Sequence, residues 1–204
     1  MSLDSAFEQL KHPNPHLRDR AMWELAENPD ETTILRLMRI LDDEDTTYRR
    51  AAVKALGAIG FDAIPPLVDA LLKSDNVTVR GSAAKALAQI AINYPEDPFP
   101  AEGIQGLTTA LHDPNPVVHI AAVMAMGEIG SPVVDILIEA LETTDNPALA
   151  ISLVNALGSI GDERSVDVLT ALIQNEATDS YVRESATSVL SRLEMTMNFR
   201  RGER

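Results

Sequence analysis

Apolar residues recur along this chain at the spacing of helices, in pairs of stripes that repeat from one end to the other. The clearest copy spans residues 48–72, where Ala52 and Leu56 carry the first stripe and Leu67 and Leu71 carry the second. Each stripe is typical of an amphipathic helix that buries one face. The pattern therefore predicts a chain built from helix pairs, each with a first helix A and a second helix B.

The helix pairs recur at a nearly constant period. Equivalent positions near the start of the A helices are separated by 31, 31, 39, 31 and 33 residues, and they hold Arg18, Arg49, Arg80, His119, Ala150 and Arg183. Regularity at a period of about 20 to 50 residues is typical of solenoid repeat proteins. We therefore predict an all-α solenoid of about five two-helix repeats with capping helices at its ends.

A single repeat domain is expected to cover residues 1–195. It is predicted to consist of a cap helix at 2–11, repeats that begin near residues 16, 46, 77, 116 and 147, and a final helix at 181–193. The last residues, 196–204, are basic and are expected to form a flexible tail.

One connection between helices, residues 93–100, is longer than the others by eight or nine residues and holds three prolines. Insertions in solenoids map to loops on one face, which is often the binding face. Tyr94 and Phe99 in this loop are therefore candidates for contact with a partner. The alternative is a surface loop in which Phe99 packs back on the helices.

The composition excludes several chemistries. With no cysteine, the chain can form no disulfide, thiolate nucleophile or cysteine-ligated metal site. Aromatic residues make up 4% of the chain and apolar residues 45%, which suits a core of aliphatic side chains and poorly suits an aromatic cofactor pocket. The N-terminus has no basic segment before an apolar run, and no later segment reaches the length needed to cross a bilayer. A cytoplasmic protein without membrane insertion is expected.

Acidic residues dominate the charge of the chain. The formal net charge is −14, and phosphate backbones repel such a surface, so nucleic acid is not an expected partner. Residues 86–163 hold 11 Asp and Glu and no Lys or Arg. This acidic stretch either keeps the protein soluble or steers a partner that carries a basic patch.

No catalytic constellation stands out from the sequence. His12 and His16 have the i, i+4 spacing of a helical metal pair, but Pro13 and Pro15 prevent the helix that would bring them together. The glycine-containing pieces lie at the predicted C-termini of helices, whereas phosphate binds at helix N-termini. The residues themselves therefore predict no catalytic group, metal ligand or cofactor.

A binding surface remains as the candidate site. Two positions beside the apolar stripe of the B helices are expected to face the concave side of the solenoid. Alignment on Leu41, Leu71, Leu111, Leu141 and Leu172 places Arg39, Asp69, Thr109, Glu139 and Thr170 in the first row and Arg36, Pro66, Gly106, Ile136 and Asp167 in the second. This mixture of charged, small and apolar side chains favours contact with a protein. The alternative is that these are ordinary solvated positions of amphipathic helices.

A family resemblance rests on Arg49 near the start of a helix A and on the segment Ala-Leu-Gly-Ala-Ile-Gly at residues 55–60, with further copies at 125–130 and 156–161. These repeats resemble the short HEAT-like repeats of the phycobiliprotein lyase family over nearly the whole chain. The resemblance implies a right-handed α-superhelix whose B helices line a concave surface. Members include the E and F type subunits of bilin lyases, which attach or isomerise open-chain tetrapyrroles on phycobiliproteins, and proteins of phycobilisome assembly or disassembly. The first repeat departs from the aromatic-rich first repeats of the lyase subunits, since it offers only Trp23.

Three functions are compatible with these features. The first is a non-catalytic scaffold or chaperone, without a cofactor, that holds phycobiliprotein subunits against its concave face. The second is one subunit of a heterodimeric bilin lyase, which needs a second HEAT-repeat chain and uses Trp23, Tyr48, Tyr94 or Phe99 to shelter a transient phycobilin. The third is a regulatory adaptor unrelated to pigments.

Overall fold

The computed structural model describes the backbone of residues 2–27 and 29–202 and the side chains of residues 2–27 and 29–195. Within these residues the chain forms twelve α-helices and no β-strand. In chain order they are α1 (Leu3–Gln9), α2 (Pro15–Glu27), α3 (Glu31–Met38), α4 (Thr46–Ile59), α5 (Ile64–Lys73), α6 (Val77–Asn93), α7 (Ala101–Ala110), α8 (Pro116–Ile129), α9 (Val134–Thr143), α10 (Pro147–Ile160), α11 (Arg164–Gln174) and α12 (Ser180–Gly202).

The helices follow the predicted repeat order. The five predicted repeats correspond to the pairs α2–α3, α4–α5, α6–α7, α8–α9 and α10–α11, with α1 before them and α12 after them. The all-α repeat fold predicted from the sequence is thereby confirmed. The final helix differs from its predicted bounds, since it continues from Ser180 to Gly202 instead of ending at Leu193. The side chains of the predicted tail, residues 196–204, lie outside the described residues.

Side-chain caps fix where several A helices begin. Asp45 Oδ1 accepts hydrogen bonds from the backbone N–H groups of Thr47 at 2.8 Å and Tyr48 at 3.4 Å. Asn76 caps α6 and Asn146 caps α10 in the same way. Such a cap contributes about 1 kcal/mol, because it satisfies a backbone donor that has no partner within the helix. The acidic cluster before α4 therefore has a structural role through Asp45.

The arginines that mark the repeats fasten each A helix to the loop before it. One link, from the side chain to the backbone carbonyl six residues earlier, joins Arg18 to His12 at 2.6 Å, Arg49 to Asp43, Arg80 to Ser74 at 2.9 Å and His119 to Asp113 at 3.2 Å. We call this series the side-chain ladder. A hydrogen bond from a charged group contributes roughly 1.5–3 kcal/mol, so each arginine of the ladder holds one inter-repeat loop.

The chain divides into two compact units, Met1–Ala125 and Met126–Arg204, which we describe separately. In the first unit, Leu37, Leu67 and Leu107 occupy equivalent positions on three B helices and are completely buried. In the second unit, Leu137 on α9 and Leu169 on α11 are completely buried. One leucine of each B helix thus anchors the core. The prediction of a single domain over residues 1–195 stays a prediction.

The turn from helix A to helix B differs between repeats. Gly60 and Gly130 combine φ values of 84° and 83° with ψ values of −139° and −142°, and a short 3₁₀ turn follows each of them. Gly161 instead has φ 71° and ψ 27°, the left-handed helical conformation, which glycine adopts without steric cost. A left-handed helical cap is therefore found at the end of α10, while Gly60 at the end of α4 adopts a different positive-φ conformation.

None of the described helices, taken alone, is long and apolar enough to cross a membrane. The segments Thr46–Ile59 and Phe61–Lys73 reach that length only together, and the chain bends by 118° between them.

Candidate functional site

Three residues of the first predicted row lie in the first unit, and all three are exposed. Arg39 caps the C-terminus of α3, Asp69 lies on α5 and Thr109 lies on α7. Helices α5 and α7 pack against each other, so Asp69 and Thr109 belong to neighbouring helices. Asp69 also forms an ion pair with Lys73 one turn later, at 2.5 Å. Of these three residues, Arg39 and Asp69 present charged side chains to solvent.

Arg36, in the second predicted row, has an internal role. Its Nη1 atom lies 2.8 Å from Asp4 Oδ1, and its guanidinium lies 3.9 Å from the centre of the Phe7 ring. Both partners belong to α1. The side chain of Arg36 thus covers an aromatic ring of the cap helix and links α3 to α1, which accounts for this arginine without a partner protein.

The other second-row positions of the first unit are packed between helices. Pro66 is half-buried and Gly106 is buried. A Cβ atom added to Gly106 would lie 2.9 Å from Val68 Cγ1, so only glycine allows α7 to approach α5 this closely. These two residues shape the helix packing and leave little side chain for contact.

In the second unit, the alignment of the B helices matches the buried leucine on α9 but is displaced by one residue on α11. Glu139 is exposed and Ile136 is half-buried, as expected for positions beside the apolar stripe. On α11, however, the completely buried leucine is Leu169, whereas the sequence alignment places Val168 at that position. The equivalents of Glu139 and Ile136 are consequently Ala171 and Val168.

Thr170 and Asp167 therefore do not belong to the two rows. The hydroxyl of Thr170 donates a hydrogen bond to the backbone carbonyl of Val166 at 2.8 Å, within its own helix, and Asp167 is exposed. The displacement coincides with the different turn at Gly161: Leu169 lies eight residues after Gly161, whereas Leu67 and Leu137 lie seven residues after Gly60 and Gly130.

The long loop packs back on the helices through an aromatic cluster, which consists of Phe61, Tyr94 and Phe99. The ring centres of Phe61 and Tyr94 are 5.4 Å apart, and those of Phe61 and Phe99 are 6.4 Å apart with nearly perpendicular planes. The Tyr94 hydroxyl donates a hydrogen bond to the backbone carbonyl of Ala58 at 2.7 Å. Tyr94 and Phe99 are both half-buried, so their predicted contact with a partner stays a prediction. Phe61 was not among the residues predicted from the sequence to form a contact surface, although an aromatic residue in a tight turn was a usable signal.

The remaining aromatic candidates lie in different surroundings. Trp23 on α2 is 58% exposed. Tyr48 on α4 is buried, with Lys11 Nζ 4.7 Å from the centre of its ring. Burial and the nearby carboxylates raise the pKa of the Tyr48 phenol above its ordinary value. The described contacts therefore do not gather Trp23, Tyr48 and the aromatic cluster around one pocket.

Two of the described histidines serve local structure. His12 Nδ1 accepts a hydrogen bond from the backbone N–H of Asn14 at 3.0 Å in the turn before α2, and His119 is buried as a member of the side-chain ladder. Within the part of the chain that the structure describes, no group of three or more His, Asp and Glu residues is placed to hold a metal ion.

A cleft lies among the described residues of each unit. The cleft of the first unit, about 330 Å³, lies between α2 and α4 and is lined by Arg18, Arg50 and Lys54 among others, with Lys54 Nζ 3.7 Å from Asp19 Oδ1. The cleft of the second unit, about 540 Å³, lies where α9, α10, α11 and α12 meet the loops between them. Val168 and Ala171, the corrected row positions of α11, both line this second cleft.

Comparison with known proteins agrees with this architecture. The family described as HEAT repeats matches residues 3–88 and 104–191. An uncharacterized phycocyanin operon protein Z of Pseudanabaena tenuis strain PCC 7409 is 65% identical over 201 residues, which cover 98% of this chain and 100% of that protein. The bilin biosynthesis protein CpeZ of Synechococcus sp. strain WH8020 is 35% identical over 174 residues, which cover 82% of this chain and 93% of that protein.

A solved structure has the same fold. The complex of CpcE and CpcF of phycocyanin lyase from Nostoc sp. PCC7120 is matched with a TM-score of 0.50 and 20% identity, over 76% of this chain and 96% of that chain. The repeat match covers most of the sequence, and both relatives are matched over nearly their full lengths. The chain therefore belongs to the HEAT-repeat family and shares a protein family with the bilin biosynthesis protein CpeZ.

Proposed function

We propose that this chain is a protein-binding HEAT-repeat protein that acts on a phycobiliprotein during its assembly or turnover. It holds the phycobiliprotein subunit against the exposed positions of its B helices. The observation that carries the proposal is the similarity to a protein named for bilin biosynthesis, 35% identical over 93% of that protein's length. A similarity over 82% of this chain extends across most of the repeat array and is not confined to one motif.

The surface chemistry supports binding of a protein. Arg39, Asp69 and Glu139 are charged and exposed on three B helices, and the residues beside them are small, apolar or half-buried. Charged groups around an apolar centre give an interface its specificity and its rate of association. Binding through such a surface weakens with increasing salt and survives the loss of any single side chain.

A second candidate function is that of one subunit of a bilin lyase, which requires a second HEAT-repeat chain and takes a phycobilin transiently. The similarity to a bilin biosynthesis protein is compatible with this candidate too. The aromatic residues Trp23 and Tyr48 lie apart from the aromatic cluster of Phe61, Tyr94 and Phe99. A shelter for a tetrapyrrole therefore needs surfaces from a partner chain, which makes the protein-holding role the simpler proposal for this chain alone.

The test is a binding measurement with purified phycobiliprotein subunits, phycocyanin among them, with and without their bilin. The variant combines Arg39→Glu, Asp69→Lys and Glu139→Lys. The control combines Lys85→Glu, Asp62→Lys and Glu128→Lys, which produce the same change in net charge at exposed positions outside the B helices. We expect the parent and the control to bind at low salt and the B-helix variant to bind at least about tenfold more weakly, the equivalent of 1.4 kcal/mol.

Two outcomes would contradict the proposal. If the parent binds no phycobiliprotein subunit, the link to pigment proteins is wrong. If the two variants bind equally well, the contact surface lies elsewhere. A change in visible absorbance on addition of bilin, seen only when a second HEAT-repeat chain is present, would favour the lyase subunit.

A further inference from the structure

The side-chain ladder has no member in the fifth repeat. At the position of Arg18, Arg49 and Arg80, helix α10 carries Ala150, which has no side-chain donor. The residue six positions earlier is Thr144, the counterpart of Ser74, whose carbonyl accepts a hydrogen bond from Arg80. At this internal repeat, the side chain that reaches back to the loop in the four preceding repeats is replaced by a methyl group.

The interruption coincides with the cleft of the second unit. Both Thr144 and Ala150 line this cleft of about 540 Å³, and so does Ala177 on its other side. Pockets that bind ligands have volumes of roughly 300–1,000 Å³, so the space is larger than one side chain requires. Arg183, the next equivalent position, is not among the lining residues. The cleft is therefore the place where the fifth repeat lacks an arginine.

The rim of the cleft is acidic. Glu142, Asp145 and Asp179 line it, and all three are exposed. No Lys or Arg occurs between residues 86 and 163, so α9, α10 and the loop between them supply no cation to this rim. The apolar walls come from α11 and α12 and include Val168, Ala171, Leu172 and Val182.

The third repeat shows which side chain occupies the position equivalent to Ala150 when the ladder contact is present. Asp75 lies five residues before Arg80, as Asp145 lies five residues before Ala150. The pKa of Arg80 is raised chiefly by its hydrogen bond to Asp113, against the effect of burial, and further by the negative charges of Asp113 and Asp75. The Asp75 carboxylate thus favours the charged guanidinium of Arg80 in the third repeat. The fifth repeat has the equivalent carboxylate, that of Asp145, but has Ala150 in place of the arginine.

We infer that the cleft binds an arginine side chain from a partner protein, which takes the place of the missing ladder arginine beside Thr144 and Ala150. Arginine fits better than lysine, because its planar guanidinium can donate to a carbonyl and to a carboxylate at the same time. The part of the cleft that the guanidinium leaves free accommodates the residues next to the arginine in an extended segment. The partner is thus a protein with an exposed arginine in a polypeptide segment, and this inference does not depend on whether that protein is a phycobiliprotein.

The test uses the full chain and two peptides, acetyl-Gly-Arg-Gly-amide and acetyl-Gly-Lys-Gly-amide, titrated while backbone amide signals are followed by NMR. We expect saturable binding of the arginine peptide, with the largest shifts at Thr144, Ala150 and Ala171. The lysine peptide should bind about tenfold more weakly, because a point charge cannot make the two-pronged hydrogen bond.

Two variants separate the cleft from general charge. Ala150→Arg restores the ladder from within the chain and should reduce arginine-peptide binding by at least about tenfold, since the site is then filled. Ala148→Arg adds the same charge at an exposed position of the same helix that does not line the cleft, and it should bind nearly like the parent. A third variant combines Glu142→Gln with Asp145→Asn. It removes two negative charges from the rim, while it keeps side chains of nearly the same size and leaves the cleft open. This variant should also bind the arginine peptide more weakly than the parent does.

The inference is overturned if the parent binds neither peptide saturably, if both peptides bind equally well, or if Ala150→Arg, still folded by its amide spectrum, binds the arginine peptide as the parent does. If Ala150→Arg does not fold, the Glu142→Gln and Asp145→Asn variant decides: binding unchanged from the parent would then overturn the inference.

Discussion

Arg80 and Asp113 form a two-pronged ion pair between successive repeats. Arg80 Nε lies 2.8 Å from Asp113 Oδ2, and Arg80 Nη2 lies 3.2 Å from Asp113 Oδ1. The side chains are only 13% and 10% exposed. Burial raises the pKa of the Asp113 carboxyl, but the hydrogen bonds from Arg80 and from the backbone N–H of Asn115 hold it below its ordinary value. The pair therefore joins two loops of the ladder through charges that are well shielded from water.

Removal of this arginine should be costly. We expect Arg80→Ala to lower the free energy of unfolding by about 2–3 kcal/mol, because a shielded carboxylate loses its charged partner and the Ser74 carbonyl loses its donor. Urea-induced unfolding followed by circular dichroism measures the change. The matched control is Lys73→Ala, whose ion pair with Asp69 is exposed and should contribute less than about 1 kcal/mol. Equal losses in the two variants would contradict the structural role of the pair.

The helix pairs were predictable because apolar residues at helical spacing bury one face of each helix. Leu56 and Leu67, for example, are both completely buried as the pattern requires. The side-chain ladder could be predicted only in part. The sequence gives the positions of Arg18, Arg49 and Arg80 at a regular spacing, but it does not reveal that each side chain reaches back to a carbonyl of the preceding loop. That contact depends on the conformation of the loop.

The positions beside the buried leucines could be aligned from the sequence where the turns between helices are alike, but not where the turns differ. Glu139 is exposed as expected, since α9 follows the same type of turn as α5. Thr170 was assigned to the same row, but the buried leucine of α11 lies one residue further from its glycine than those of α5 and α9, and the turn at Gly161 has a different conformation. The sequence contains a glycine at all three turns, so the conformation of each turn could not be distinguished. Arg36 was assigned to a partner surface, whereas its side chain contacts α1. The sequence could not reveal this contact, because Arg36 and Asp4 are far apart along the chain.

The lowered pKa of Asp162 should make the free energy of unfolding depend on pH. The pKa of Asp162 is lowered well below the ordinary value, chiefly by the side-chain hydrogen bond from Arg164 and further by the backbone N–H of Arg164. Because the folded-state pKa lies below the unfolded value, this stabilisation is complete above the unfolded pKa of about 3.9 and is lost as the pH falls through the folded value. The parent should therefore exceed Asp162→Asn in stability at neutral pH, and the difference should shrink below about pH 4. Urea unfolding of both proteins across this range tests the expectation, which a pH-independent difference would refute.

Tyr94 should stabilise the long loop through its hydroxyl as well as its ring. Tyr94→Phe removes the 2.7 Å hydrogen bond to the Ala58 carbonyl and keeps the packing on Phe61, so we expect a loss of about 1 kcal/mol. Thermal unfolding measures this loss. Tyr181→Phe is the control, since Tyr181 is 71% exposed and its substitution should change stability by less than about 0.5 kcal/mol. If Tyr94→Phe leaves stability unchanged but weakens binding of a phycobiliprotein subunit, the hydroxyl acts in contact with the partner and not in the loop.

Gly57 and Gly127 occupy the same position of two A helices and should respond oppositely to alanine. A Cβ atom at Gly57 would lie 2.2 Å from Gln89 Cγ and 2.5 Å from Gln89 Cβ, so α4 or α6 would have to move. At Gly127 the nearest atom would be Ala156 Cβ at 3.7 Å, an ordinary contact. We expect Gly57→Ala to lower the free energy of unfolding by about 1–3 kcal/mol through overpacking. Gly127→Ala should raise it by up to about 1 kcal/mol, because alanine has a higher helix propensity than glycine. Urea unfolding of the two single variants compares them directly. Because both substitutions add the same methyl group to a helix, a similar effect in both would mean that the close approach of α4 to Gln89 does not constrain this position.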